Sequence, residues 1–369
     1  MTGRRPVRRL VTALVAVVLV ASACGAEDDV ATDGDGGVRT VDAGEAARAR
    51  AELGLAPDED PDGPTGPPDV GDADGSSIDD IPTIPTFPEI TDEILDADPE
   101  IRGLITPTGV LVGVVGIIED GTVVQTPCGG VTVVTAGDPV GQVDVVIDPG
   151  HGGDEAGAVD PVSGLTEAEI NLTLAVRARD LLAQRGLSVI LTREADYRIP
   201  VRRRAELADA LNPRAFVSIH HNTPASRPSE TPGTEVYVQN GSEDSRRLGG
   251  VLYETMVEAL GQFDVAWTAR PDAGVLVVLN DEGDDSYGIA RHPISTSALL
   301  EVAYIGNEPE AALMQTDAYV EATAAAVADG IEQFLAADAE GSGFIDEPRL
   351  FNPSGETGGV DGCFDPPLE

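Results

Sequence analysis

From residue 143 onward the chain alternates short apolar runs with amphipathic stretches, and no other feature restricts its fold as much. "VDVVID" (143–148), "LSVILT" (187–192), "AFVSIH" (215–220), "TEVYV" (234–238), "VLVVL" (275–279) and "SALLEVA" (297–303) have the length and branched-aliphatic content of buried strands. Between and after them, a 3.6-residue period predicts helices over 167–185, 200–211, 244–260 and 317–336. Strands that hand over to helices in this way predict an α/β domain, a mostly parallel sheet flanked by helices. The site of such a sheet lies beyond the carboxyl ends of its strands.

The rest of the chain divides by composition. Residues 1–24 read as an export signal: Arg4, Arg5, Arg8 and Arg9 precede an apolar run from Leu10 to Val20, and "ASAC" closes it at Cys24. The pattern resembles a bacterial lipoprotein signal, which would anchor Cys24 at the outer face of the cytoplasmic membrane. An ordinary secretory signal cleaved near the same place is the alternative, and the protein leaves the cytoplasm in either case. Residues 25–100 are rich in Asp, Glu, Gly and Pro, with no sustained periodicity, and predict a disordered acidic linker with a reach of roughly 50 Å. Residues 101–142 are β-rich, with an Asp-Gly hairpin signal at 120–121. The α/β domain over 143–340 and a tail over 341–369 complete the chain. Cys128 and Cys363 form an even pair in an exported protein and read as a disulfide tying that tail back. A net charge of −42, from 65 acidic against 23 basic residues, opposes nucleic acid as a partner.

Three candidate groups fall at predicted strand ends: His151 in "VVIDPGHGGD", His220 closing "FVSIH", and Glu301 in "LLEVAYIGN". A glycine-rich turn after a strand suits phosphate, but this one lacks the spacing of either nucleotide motif and has an imidazole at its centre, so a metal is the rival reading. In "GLTEAEINLTLA", Thr166 and Glu169 fit a capping box, Leu165 and Ile170 the accompanying staple, and Ile170, Leu174, Ala178 and Leu181 a buried stripe. That gives Glu169 a structural task. Glu167, at the first helical position, suits the helix dipole and is also free to face the strand ends. Two histidines and a glutamate are the ligand set of an open zinc site, and a further carboxylate, Glu301, can take a proton from water there.

"IDPGHGG", "GLTEAEINL", "LTREAD", "RAELADALNPRAFVSIHHN" and "LLEVAYIGN", in this order over 143–337, resemble the zinc-dependent N-acetylmuramoyl-L-alanine amidases of bacterial cell-wall remodelling. The resemblance implies Zn²⁺ held by His151, Glu167 and His220, Glu301 as the catalytic acid/base, Asn307 closing its motif, and peptidoglycan as substrate. Asp148, Asn222 and Arg193 stand where residues supporting the ligands or touching substrate would be. Asp148 either bonds a ligand imidazole or caps the turn. Arg193 and Arg204 match family arginines, with a structural partnership to carboxylates favoured. The chain departs from the family at His221, where alanine is common, and Ser-Ile spacing selects His220 over it as the ligand. Ala168-Glu169 replaces the usual Lys-Asp. Some relatives block the zinc with a helical insertion until an activator protein moves it. Only about 40 residues separate Leu260 from Glu301 here, which predicts an open site. An activator is still carried as a partner. His292, near "NDEGDDSYG", matches no motif and is predicted to be exposed; that loop lacks EF-hand spacing. Two other functions use the same residues: a zinc peptidase acting on stem-peptide bonds, and a non-catalytic peptidoglycan-binding module.

Overall fold

A computed structural model describes residues 30–32, 38–40, 100–223, 227–336, 339–352, 359–360 and 362–369. The chain divides into two units, Met1–Pro85 and Thr86–Glu369. In the first, the described part is an antiparallel pair, Val30–Thr32 with Val38–Thr40. This pairing departs from the expectation of a structureless linker; β-branched residues flanking a Gly/Asp-rich stretch favour it. The signal with Cys24 and the remainder of the linker lie outside the described residues. No helix among the described residues is long and apolar enough to cross a membrane.

The second unit opens with an antiparallel sheet of β1 (Gly103–Ile105), β2 (Leu111–Ile118), β3 (Gly121–Gln125), β4 (Val131–Val134) and β5 (Asp138–Val140), in the order β4-β3-β2-β1-β5. The Asp-Gly signal marks the β2–β3 hairpin, where Ile118 pairs with Gly121.

The larger, six-stranded sheet contains β6 (Val145–Pro149), β7 (Val189–Leu191), β8 (Ala215–Asn222), β9 (Glu235–Val238), β10 (Val275–Leu276) and β11 (Ser297–Tyr304), in the order β10-β9-β11-β8-β6-β7. The β7–β6, β6–β8 and β8–β11 pairs are parallel, whereas β9 runs antiparallel to β11. No helix intervenes between β8 and β9 among the described residues, and without a crossover helix the chain returns in the opposite sense. The run at 275–279 is not one strand. Val275–Leu276 pairs with β9, and Val278–Leu279 pairs instead with Arg349–Leu350 of the C-terminal segment.

Helices α1 (Glu167–Gln184), α2 (Val201–Leu211), α3 (Glu243–Leu260), α4 (Gly288–Arg291), α5 (Glu308–Met314) and α6 (Asp317–Ala336) complete the unit. Strand alternation sorts the core into two layers. Ala215, Val217 and Ile219 of β8 and Ala298, Leu300 and Val302 of β11 join Leu174 of α1, Leu252 of α3 and Val327 of α6 in one. Phe216 and Leu299, on the opposite face, join Leu207 and Leu211 of α2 and Leu111 of β2 in the other. Helix α1 begins with the expected capping box between Thr166 and Glu169. Its buried stripe ends on Leu182; Leu181 is half-buried at the margin.

Candidate active site

The strand pattern places three acid or imidazole groups in one row. His220 on β8 is in register with Glu301 on β11, and Glu301 with Glu235 on β9. All three have the parity of Phe216, Leu299 and Tyr237, which face the α2 layer. His221 has the opposite parity and turns into the α1/α6 layer. There it is buried; its Nδ1–H donates to Asn171 Oδ1 (2.7 Å), and its Nε2 accepts from the Tyr319 hydroxyl (2.9 Å). Burial pushes its pKa down to about 4, so this imidazole is neutral and committed to structure. The parity of the strand thus separates two adjacent histidines.

His151 and Glu167 approach His220 from β6 and α1. Glu167 Oε1 lies 3.2 Å from His151 Nε2 and 2.9 Å from His220 Nδ1, and the ligand-capable atoms of all three lie within 4.8 Å of one another. Ligands about 2.0–2.1 Å from a tetrahedral metal stand roughly 3.3 Å apart, close to the two Glu167–imidazole distances, so the three residues could hold a metal ion. Protonation fits as well. Burial opposes ionisation of Glu167, but its bonds to His151 and His220 outweigh it and hold the carboxyl well below its ordinary range; burial lowers the His220 pKa. An anionic carboxylate and a neutral imidazole are what a metal requires.

The turn that presents His151 is strained and heavily braced. His151 takes φ 61°, an uncommon value for a residue with a side chain. Two buried arginines and Asn171 hold three successive carbonyls. Pro149 O accepts from Arg193 Nε (3.0 Å) and Arg204 Nη1 (2.8 Å), Gly150 O from Arg193 Nη2 (3.0 Å) and Asn171 Nδ2 (3.3 Å), and His151 O from Arg204 Nη2 (2.7 Å). Such over-determination is what sustains an unfavourable backbone conformation. The glycines have their own reason. A Cβ on Gly150 would stand 2.2 Å from His220 Cε1, and one on Gly157 would stand 2.6 Å from both Glu167 Oε2 and His151 Cδ2.

Asp148 bonds neither ligand imidazole. It is fully buried and accepts from Thr192 Oγ1 (2.5 Å), Ser218 Oγ (2.7 Å) and Arg204 Nη1 (2.8 Å). Burial alone would raise its pKa; the Arg204 charge and these bonds prevail and lower it. It therefore anchors the arginine that clamps the turn. Arg193 spends its donors on backbone carbonyls, a structural position, and Asn222 donates to Glu235 Oε1 (3.2 Å).

Glu301 stands apart from these satisfied groups. Its Oε2 is closed off from solvent and has no hydrogen-bond partner. Burial, then the charges of Glu167 and Glu235, raise its pKa well above the ordinary value, partly offset by Arg270 and Arg349. It is the strand neighbour of His220 and lines, with His151, Glu167 and His220, a cleft of about 960 Å³. The stretch 261–300 adds no long helix over this cleft, and the His151 side chain is 29 % exposed.

Glu235 was not anticipated from sequence. It is fully buried and bonded to Tyr304 OH (2.5 Å), Tyr237 OH (3.1 Å) and Arg349 Nη1 (2.5 Å). An acid inside the apolar run "TEVYV" is the signal that would have found it. The expectation that His292 is exposed does not hold: it is half-buried at the C-terminal end of α4, with its pKa lowered by burial. The Cys128–Cys363 disulfide is formed and ties the tail to the small sheet's loop.

Residues 145–333 match the family model described as N-acetylmuramoyl-L-alanine amidase. The chain is 29 % identical to the uncharacterised protein YqiI of Bacillus subtilis over 54 % of its own length and 88 % of YqiI. It is 26 % identical to the N-acetylmuramoyl-L-alanine amidase AmiC of Neisseria meningitidis over 52 % of each chain, so it spans about half of that relative. Among solved structures, the amidase AmiC2 of Nostoc punctiforme is 30 % identical, with 54 % of this chain and 99 % of that one covered and a TM-score of 0.45.

Proposed function

We propose, because the chain belongs to the N-acetylmuramoyl-L-alanine amidase family, that it hydrolyses the amide between the lactyl group of N-acetylmuramic acid and the L-alanine of the peptidoglycan stem peptide. The observation that carries this reading is the convergence of His151 Nε2, Glu167 Oε1 and His220 Nδ1 beside Glu301, the strand partner of His220, whose carboxylate has an unsatisfied oxygen. In this reading His151, Glu167 and His220 hold zinc. When bound, zinc supplies Lewis acidity that polarises the amide carbonyl and acidifies water.

The protein's own residues supply the proton movements and the shape. Glu301 takes the proton of the attacking water on its carboxylate and returns it to the departing alanine nitrogen. Burial and the neighbouring Glu167 and Glu235 charges raise its pKa above that of an ordinary carboxyl, the direction in which a carboxylate becomes a better proton acceptor. Asp148, Arg204 and Arg193 keep His151 in position and meet no substrate. The exposed His151 face supports a cleft that a glycan-linked peptide can enter directly; an activator would act on the cleft rim. The N-terminal signal accounts for export, and Cys24 for attachment to the outer face of the membrane through a lipid.

The test is the appearance of new N-terminal alanine when the purified protein, loaded with zinc, is incubated with peptidoglycan. Release of alanine supports the amidase. Release of an internal stem-peptide amine would identify a peptidase instead.

A further inference from the structure

The cleft is lined by carboxylates, Glu167, Glu301 and Asp272 among them, yet the stem peptide it would receive carries negative charge. Its cations are unequal. Arg204 is consumed by Asp148 and the turn carbonyls. Arg349 is 12 % exposed and consumed by Glu235 Oε2 (2.5 Å) and Asp272 Oδ2 (2.7 Å). Arg270 is 37 % exposed, its Nε lies 3.8 Å from Glu235 Oε1, and that nitrogen makes no hydrogen bond.

The difference has a structural cause. Arg349 lies beyond the matched family region and reaches the cleft because the C-terminal segment pairs with Val278–Leu279. Arg349 takes Glu235 Oε2, so Arg270, which also lines the cleft, keeps only a longer approach to Glu235 Oε1 and a side-chain contact to the Tyr304 hydroxyl. Glu235 is the register partner of Glu301, so Arg270 stands about one strand spacing, roughly 4.8 Å, and one ion-pair contact from the proposed base. In peptidoglycan the residue after L-alanine is acidic, and its α-carboxylate is either free or amidated. That group lies about two residues, roughly 7 Å, from the scissile amide.

We propose, building on the amidase reading above, that Arg270 receives this α-carboxylate, so that the enzyme prefers stem peptides whose second residue is free over those in which it is amidated. A half-exposed guanidinium in a cleft of carboxylates selects a planar anion and gains nothing comparable from a neutral amide.

The experiment compares wild type, Arg270→Met and Arg270→Lys on two muramyl peptides that differ only in this carboxylate or carboxamide. It also measures, by calorimetry, binding of the two corresponding free stem peptides. Wild type should favour the carboxylate by about tenfold to a hundredfold in kcat/KM, mostly through KM. Arg270→Met should bring the ratio close to one, with Arg270→Lys between. Equal treatment by wild type, or a preference that survives in Arg270→Met, overturns the assignment. A binding preference that Arg270→Met abolishes, with neither muramyl peptide cleaved, sustains Arg270 and defeats the amidase reading. Cleavage without any preference does the reverse.

Discussion

The two sides of the cleft are built on opposite plans. On the side of His151, Asp148, Arg193, Arg204 and Asn171 place their polar atoms on one another or on the carbonyls of the turn, and the strained His151 backbone is held from several directions. On the side of Glu301, a carboxylate oxygen is buried without a partner beside two further acids. Satisfied networks fix geometry, whereas an unsatisfied buried acid stores reactivity. The contrast teaches that positioning and proton transfer are supplied by separate groups, and substitutions on the two sides should fail differently.

The largest effect on stability belongs to the braced side. Arg204→Met leaves Asp148 as an uncompensated buried charge and releases the His151 carbonyl; chemical denaturation should show a loss of about 3–5 kcal/mol. A loss below about 1 kcal/mol would mean that the turn holds itself. Next comes the disulfide, which closes a separation of 235 residues. Cys128→Ser with Cys363→Ser should lower stability by about 2–4 kcal/mol, read from the same denaturation curves.

The smallest effect concerns His221. Its folded pKa of about 4 lies below the ordinary 6.5, so the unfolded chain binds the extra proton more readily. Its contribution is complete above pH 6.5 and is lost as pH falls towards 4, by up to about 3 kcal/mol at 1.36 kcal/mol per pKa unit. His221→Gln should flatten the fall in stability over that window. An unchanged slope would assign the loss to other groups.

Much of this was legible in sequence because it is local or periodic. The capping box on α1, the alternation of strands and helices and the Gly-rich turn are short-range patterns, and the Ser-Ile spacing already selects His220 over His221, which the strand then turns to the other face. Glu235, Arg270 and Arg349 were not legible. Arg349 meets Tyr237 across 112 residues, through a C-terminal segment that captures half of the broken run at 275–279, and neither period nor composition reports such a pairing. Asp148 directly precedes the turn that carries His151, and its partner is an arginine from α2 rather than an imidazole.

The division between the two sides is tested most directly with Glu301→Gln, by measuring bound zinc and alanine release on the same preparation. Zinc stoichiometry equal to wild type with alanine release reduced by about 10²–10⁴-fold is the expected result. Release close to wild type, or loss of zinc together with activity, would contradict the assignment of proton transfer to Glu301.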